Sequence, residues 1–222
     1  MIFYVVTDTA RKYRKGTGWL RIKHVLEEHS RDLCLVLHYK SVHPRLLEEL
    51  RPWAICHSGG STLYQDYDVL QTADYRRLVS DYDVAQIGFC GGHQLLASIL
   101  GGRIGPMRRL RKGEPDPAGY QPGQFKEWGQ YRVRILRPDP LFRGLGKTLR
   151  VQEYHAWEVK SLGPNLRLLA GSPTCRVQAF VHRRRPVYGV QFHPEQSTRR
   201  CPDGFGVLRN FFRLARAYRP KA

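Results

Sequence analysis

Long apolar runs are absent from these 222 residues. Nothing approaches the ~18 consecutive apolar residues of a membrane-spanning helix, so no bilayer span is expected. Cysteine is scarce and poorly placed for cross-linking: Cys34, Cys56, Cys90, Cys175 and Cys201 are odd in number, scattered, and form no CxxC pair. That argues against a disulfide framework and a structural zinc site, and for a reducing cytoplasm. Acidic residues are few, 19 against 37 lysines and arginines, for a formal net charge of +18. Such an excess raises the question of a polyanion or acidic protein partner. Recognisable nucleic-acid modules are nevertheless missing: there is no zinc-finger spacing, no aromatic RNP-like strand and no helix-turn-helix. The basic residues fall in small groups, at 11–15, 108–112, 183–185 and 199–200, as on a highly soluble basic surface with an arginine bias of the high-temperature kind. A P-loop and an ATP-grasp-like segment are also missing, so synthetase chemistry would need another protein.

What is present suits one domain over 1–222, with 41% hydrophobic residues to build its core. The first residues, "MIFYVVTDTARKYRKG", put the apolar run before the charges. A secretory leader has the reverse order, so Ile2–Val6 reads as a buried first strand. Strands are expected at Ile2–Val6, Leu33–His38, Ala54–His57 and Val84–Phe89. Helices are expected at Trp19–His29, Pro44–Leu50, Ala73–Ser80 and Gly92–Leu100. This alternation predicts an α/β fold with a mostly parallel central sheet flanked by helices, its functional loops at the carboxyl ends of the strands. The second half departs from that rhythm. Residues 111–130, "RKGEPDPAGYQPGQFKEWGQ", form a Pro- and Gly-rich excursion of the length that is usually functional or poorly ordered. "YRVRIL", "LRVQEY", "CRVQAFVH" and "VYGVQF" then read as short strands, a smaller additional β element. Gly204–Tyr218 closes the chain as an amphipathic helix.

Two stretches carry chemistry. In "GFCGGHQLLA" an apolar strand ends at Cys90, glycines follow at once, and a helix begins. A sharp strand-to-helix turn exposes a nucleophile and aims neighbouring N–H groups at a developing oxyanion, while the helix N-terminus favours the thiolate. In "YGVQFHPEQ" a strand delivers His193, Pro194 breaks it, and Glu195 follows. A thiol nucleophile needs a base, and the base needs a third group to hold its tautomer. Cys90, His193 and Glu195 supply those types. His57 and His93 flank the motifs, but no carboxylate or third ligand shares their spacing, so neither a metal nor any other cofactor is expected.

These motifs resemble those of the class I (triad-type) glutamine amidotransferases. "GFCGGHQLLA" is similar to the family's G-x-C-x-G-x-Q nucleophile motif and "GVQFHPE" to its histidine–glutamate motif. "AICHSGGST", "DPLFRGL", "EYHAWEV" and "FGVLRNFFRLA" resemble further family segments in the same order. The resemblance implies a flavodoxin-like sheet and a glutaminase without cofactor. Cys90 would form a γ-glutamyl thioester, His193 would act as base and then acid, and Glu195 would orient His193. Gly60 and Gly91 would supply the oxyanion hole, Gln94 would contact the glutamine, and backbone around His155, Ala156 and Trp157 would line the pocket. Glutamine would be the substrate and a separate synthetase subunit the partner receiving ammonia. The same triad would also serve a γ-glutamyl hydrolase or transferase acting on γ-glutamyl conjugates, and the scaffold without activity could be a basic binding protein. Two features depart from the pattern: Gly91 stands where a larger apolar residue is usual, and "HSGGST" lacks a proline-bearing form. "EWG" (127–129) resembles a segment near the glutamine pocket in the GMP synthetase type.

Overall fold

The computed structural model of the chain describes residues 1–117 and 119–219; Ala118, within the 111–130 stretch, and residues 220–222 lie outside the described residues. The first half contains β1 (Ile2–Val6), α1 (Ala10–Lys15), α2 (Gly18–Ser30), β2 (Cys34–His38), α3 (Pro44–Leu50), β3 (Ala54–His57), α4 (Ala73–Ser80), β4 (Ala85–Phe89) and α5 (Gly91–Ile99). The second contains β5 (Arg103–Pro106), β6 (Glu127–Ile135), β7 (Thr148–His155), β8 (Trp157–Ser161), β9 (Leu166–Gly171), β10 (Ala179–His182), β11 (Val187–Val190) and α6 (Asp203–Ala217).

Nine strands form one sheet in the order β2-β1-β3-β4-β11-β10-β9-β6-β7. The β2-β1-β3-β4-β11 portion is parallel throughout, and the strands from β11 to β7 pair antiparallel. The additional β element expected in the second half thus has two parts. Most of it extends the main sheet, and β5 pairs with β8 in a separate two-stranded sheet. β5, β8, β9 and the short α1 go beyond the elements expected from sequence: each is brief and lacks a strong alternation of its own. Among the described residues, no helix is long and apolar enough to cross a membrane.

The parallel strands are buried on both faces, which is why they read as continuous apolar runs. In β1, Ile2, Tyr4 and Val6 join a core with α2 and α6, while Phe3 and Val5 face the opposite core with α4 and α5. The same two-residue period sends Ala85, Ile87 and Phe89 of β4 to the α6 side. Gly88 falls on the other face, where α5 folds back over the strand it has just left. A Cβ on Gly88 would stand 2.4 Å from the Gly92 carbonyl carbon and 2.6 Å from the His93 nitrogen. These are backbone atoms that cannot rotate away.

Gly88→Ala should therefore force β4 and α5 apart, lowering stability by ~2–3 kcal/mol. Urea unfolding measures this, and an unchanged midpoint would mean that the turn is not packed as described.

Candidate active site

Because β4 and β11 are parallel neighbours, with Phe89 opposite Val190, their carboxyl ends lie side by side. Cys90 follows the last residue of β4, and its N–H still donates to the Val190 carbonyl at 2.9 Å. Its φ of 46° and ψ of −103° lie where a side chain is seldom tolerated, a strained backbone of the kind met at functional turns. Beyond β11 the chain continues to His193, whose N–H donates to the Gln152 carbonyl at 2.9 Å and so ties it to β7. A single 3₁₀ turn, Pro194–Gln196, then brings the Glu195 carboxylate back to the ring, with Oε1 2.7 Å from His193 Nδ1.

The Cys90 and His193 side chains meet across Gly59. A Cβ placed there would be 3.6 Å from Cys90 Cβ, 3.7 Å from His193 Nε2 and only 2.9 Å from His193 Cε1. The thiol also sits 3.9 Å from the Tyr154 carbonyl. Burial opposes protonation of His193, but the Glu195 carboxylate and Cys90 outweigh it and hold the imidazole pKa well above the ordinary range.

The loop after β3 completes this corner. A Cβ on Gly91 would lie 2.7 Å from the Gly60 nitrogen, so the glycine that departs from the usual pattern is what lets the two loops approach. The Asp8 carboxylate anchors the Gly60 loop, accepting from the Ser61 N–H at 2.9 Å and from the Thr62 hydroxyl. Burial disfavours the ionised Asp8, yet these donors and the Thr9 N–H prevail and lower its pKa.

Two cavities share Cys90. The larger, about 500 Å³, is lined by His193, Glu195, Asp8, Gly59, Gly60 and the rings of Trp19, Tyr120, Trp128 and Tyr154. The smaller is closed to about 20 Å³, less than one water molecule fills in the liquid. Gln94, Tyr64, His155, Ala156 and Trp157 line it, with Gly60, Tyr120 and Gln121. Gln94 Nε2 donates to the Trp157 carbonyl at 2.6 Å and to Gln191 Oε1 at 3.0 Å, and its Oε1 accepts from the Tyr64 hydroxyl at 2.8 Å. The structure thus gathers Cys90, His193, Glu195, Gly60, Gly91, Gln94, His155, Ala156 and Trp157 around one corner.

The 111–130 excursion is ordered where described, and it covers this corner. Arg108 forms a bidentate pair with Glu114, Gly123 N–H donates to Asp116, and buried Lys126 pairs with Asp116. Trp157 Nε1 donates to Gln121 at 2.9 Å, holding the excursion over the small cavity. Tyr64, Tyr120, Trp128, Tyr154 and Gln191 carry no signal in the sequence, because no motif or period marks a residue that reaches the site by tertiary packing.

The histidines beside the motifs serve the core. His57 bonds Tyr75 and Gln86, and burial lowers its pKa to about 4. His93 packs on Phe180, and burial lowers its pKa to about 3. Glu127, His155 and Cys175 have potential ligand atoms within 4.8 Å of one another, but each is already engaged. Glu127 is saturated by donors, and the Cys175 thiol donates to the Val177 carbonyl at 3.7 Å while burial pushes its pKa well up.

A family model described as "Glutamine amidotransferase class-I" matches residues 21–215. Curated relatives include the glutamine-hydrolysing subunit of GMP synthase from Pyrococcus abyssi, 36% identical over 76% of this chain and 78% of the relative. The protein of the same name from Thermococcus kodakarensis shows the same identity and coverage. Among solved structures, a glutamine amidotransferase from Thermotoga maritima superposes with a TM-score of 0.72 at 17% identity, covering 98% of this chain and 99% of that one. A protein from Thermoplasma acidophilum does so with a TM-score of 0.76 at 24% identity, covering 98% and 96%. At those identities the two structures speak for the fold.

Glu153, fully buried behind Tyr154, makes stability depend on pH. Burial raises its pKa from 4.5 to about 7, against the pull of His155 and His193. In the unfolded chain it releases its proton near 4.5, so between that pH and 7 the folded state binds more protons. Stability therefore falls as pH rises through this window and is lowest above it. Glu153→Gln should raise stability at pH 8 by about 1–3 kcal/mol and flatten the slope between about pH 5 and 7, read from thermal unfolding at each pH.

Proposed function

We infer what this chain does from one premise: it belongs to the class I glutamine amidotransferase family, whose model spans residues 21–215. It hydrolyses the side-chain amide of glutamine to glutamate and ammonia, acting as a single domain that supplies a separate synthetase subunit. Its relatives are named as glutamine-hydrolysing subunits of GMP synthase, and we assign the chain to GMP synthesis in the same role. The observation that carries the reading is the contact of the strained Cys90 with a His193 ring whose far nitrogen is held by Glu195.

In this reading the Cys90 thiolate attacks the amide carbon. Negative charge develops on the amide oxygen, which the Gly60 and Gly91 N–H groups receive, each such donor being worth a few kcal/mol in the transition state. His193, already favoured as imidazolium, gives its proton to the departing nitrogen, and the C–N bond breaks to leave a γ-glutamyl thioester. Ammonia departs into the larger cavity, which His193 faces. Water then attacks the thioester with His193 as base, and sulfur leaves as thiolate. Glu195 keeps Nδ1 occupied so that Nε2 faces the reacting atoms. The glutamyl chain runs toward Gln94, with Tyr120 and Gln121 displaced outward to admit it.

The aromatic mouth is the place for the synthetase subunit to dock. Beside it, α1 carries Arg11, Lys12, Arg14 and Lys15, all exposed, a basic edge suited to an acidic face on the partner. The five cysteines are free, which suits a reducing cytoplasm.

Glutamate release from glutamine tests the reading. Cys90→Ala should lose ~10⁴-fold or more of kcat, and Glu195→Gln ~10²–10⁴-fold, with folding intact. Adding the cognate ATP-dependent GMP synthase subunit should yield GMP with glutamine as nitrogen donor, and the association should weaken as salt rises. Full activity in Cys90→Ala would overturn the mechanism.

A further inference from the structure

Behind the smaller cavity lies a second, fully buried histidine–carboxylate cluster that the reaction does not touch. Its centre is His155, 2% exposed, between Glu127 and Glu153, both at 0%. His155 Nδ1 lies 2.9 Å from the Trp157 carbonyl, and Nε2 lies 2.8 Å from Glu127 Oε2.

Counting donors fixes the protonation of this ring. A carbonyl oxygen only accepts, so Nδ1 must carry a proton. Glu127 also takes the Gln178 amide at 2.6 Å, the Ser172 hydroxyl at 2.9 Å and the Thr174 hydroxyl. A carboxyl group surrounded by that many donors is ionised and has no proton to offer, so Nε2 must carry one too. The ring is an imidazolium. Burial works against that state, but Glu127 and Glu153 outweigh it and raise the pKa of His155 well above the ordinary range. Glu153, 3.3 Å from the same Nε2, has no hydrogen-bond partner of its own and is the group that gives way as pH falls.

The other side of the ring connects to the pocket. The Trp157 carbonyl that accepts from His155 also accepts from Gln94 Nε2 at 2.6 Å. Gln94 is in turn held by Gln191 and Tyr64. Burying a charge is costly unless it is paired, so a charged ring here needs a reason in the architecture. The shared carbonyl supplies one: a charged donor on one side fixes the plane of the 157–158 peptide and with it the amide orientation of Gln94.

We propose that His155 is a positioning residue of the glutamine pocket, held as an imidazolium by Glu127 and acting through the Trp157 carbonyl on Gln94, so that it sets affinity for glutamine and not the rate of chemistry at Cys90. This rests on the assignment of the Gln94 cavity to the glutamyl chain.

Steady-state glutaminase kinetics of His155→Asn test it. The expected result is a KM for glutamine raised about tenfold or more with kcat within about threefold of wild type. In a double-mutant cycle with Gln94→Ala, the double variant should have a KM close to that of the worse single variant, because both act through one carbonyl. KM changes that multiply independently, or a fall in kcat with KM unchanged, would overturn the proposal. Glu127→Gln keeps the Nδ1–H bond to Trp157 while letting the ring become neutral, and should raise KM less than His155→Asn; a larger effect would count against the carbonyl as the route. If the His155 variant does not fold, ¹⁵N spectra of the wild-type ring decide: two protonated nitrogens at pH 8 support the proposal, and a neutral tautomer sinks it. Wild-type protein that releases no glutamate would instead defeat the underlying amidotransferase reading, leaving the spectra to report on the ring alone.

Discussion

The active corner depends on how closely a strand, a helix and a loop can approach at the end of β4. Cys90 has a backbone conformation that side chains seldom adopt, and such strain persists only where the surroundings over-determine it. Here they do. The Cys90 N–H pairs with Val190 as though β4 continued, while α5 starts at once and passes over Gly88. At Gly91 the missing side chain makes room for the Gly60 loop. The thiol is thus held forward by contacts among main chains, which cannot relax by changing rotamers. The strain is local, and the sheet on both sides of it opposes it.

Two buried histidines in this protein share a protonation state for opposite reasons. His193 has Glu195 on Nδ1 and Cys90 on the far side, so one ring nitrogen faces an open cavity and a group that can exchange its proton. His155 has both nitrogens committed, one to a carboxylate and one to a carbonyl. A ring with nowhere to send a proton cannot be an acid or base, whatever its affinity for one. Geometry, more than charge, separates the reactive histidine from the rigid one.

Much of this is legible in the residues because the relevant signals are local. The parallel core reads correctly from its apolar runs: Ile2–Val6, Ala54–His57, Pro44–Leu50 and Ala73–Ser80 have the bounds expected of them. Cys90 and the His193–Glu195 pair stand out because each sits where a strand stops and a turn begins, a change that composition records. The pairing of β6 with both β7 and β9, by contrast, joins segments far apart in the chain and leaves no local period. "CRVQAFVH" reads as one strand, yet only Ala179–His182 forms it, because Cys175 and Gln178 are drawn into the turn around Glu127. His155 is recognisable as part of a pocket segment, but its partner Glu127 lies across a strand pair. Nothing in "EWG" announces an ion pair with "EYH".

The sheet topology also explains why two cavities meet at one sulfur. β11 is the last parallel neighbour of β4, and from it onward the strands alternate direction. The carboxyl edge of the parallel part therefore ends beside strands that run back and forth, and β7 reaches the edge only at Tyr154 and His155 before the chain turns into β8. On the parallel side the edge stays open, and the aromatic rings and His193 line a broad mouth. On the antiparallel side, Trp157 and the 111–130 excursion close over Gln94. Cys90 stands on the boundary. A substrate held in the closed side presents its amide to the sulfur with its nitrogen toward His193 and the open side. The change of strand direction thus separates the place where the amino acid is gripped from the place where its nitrogen leaves.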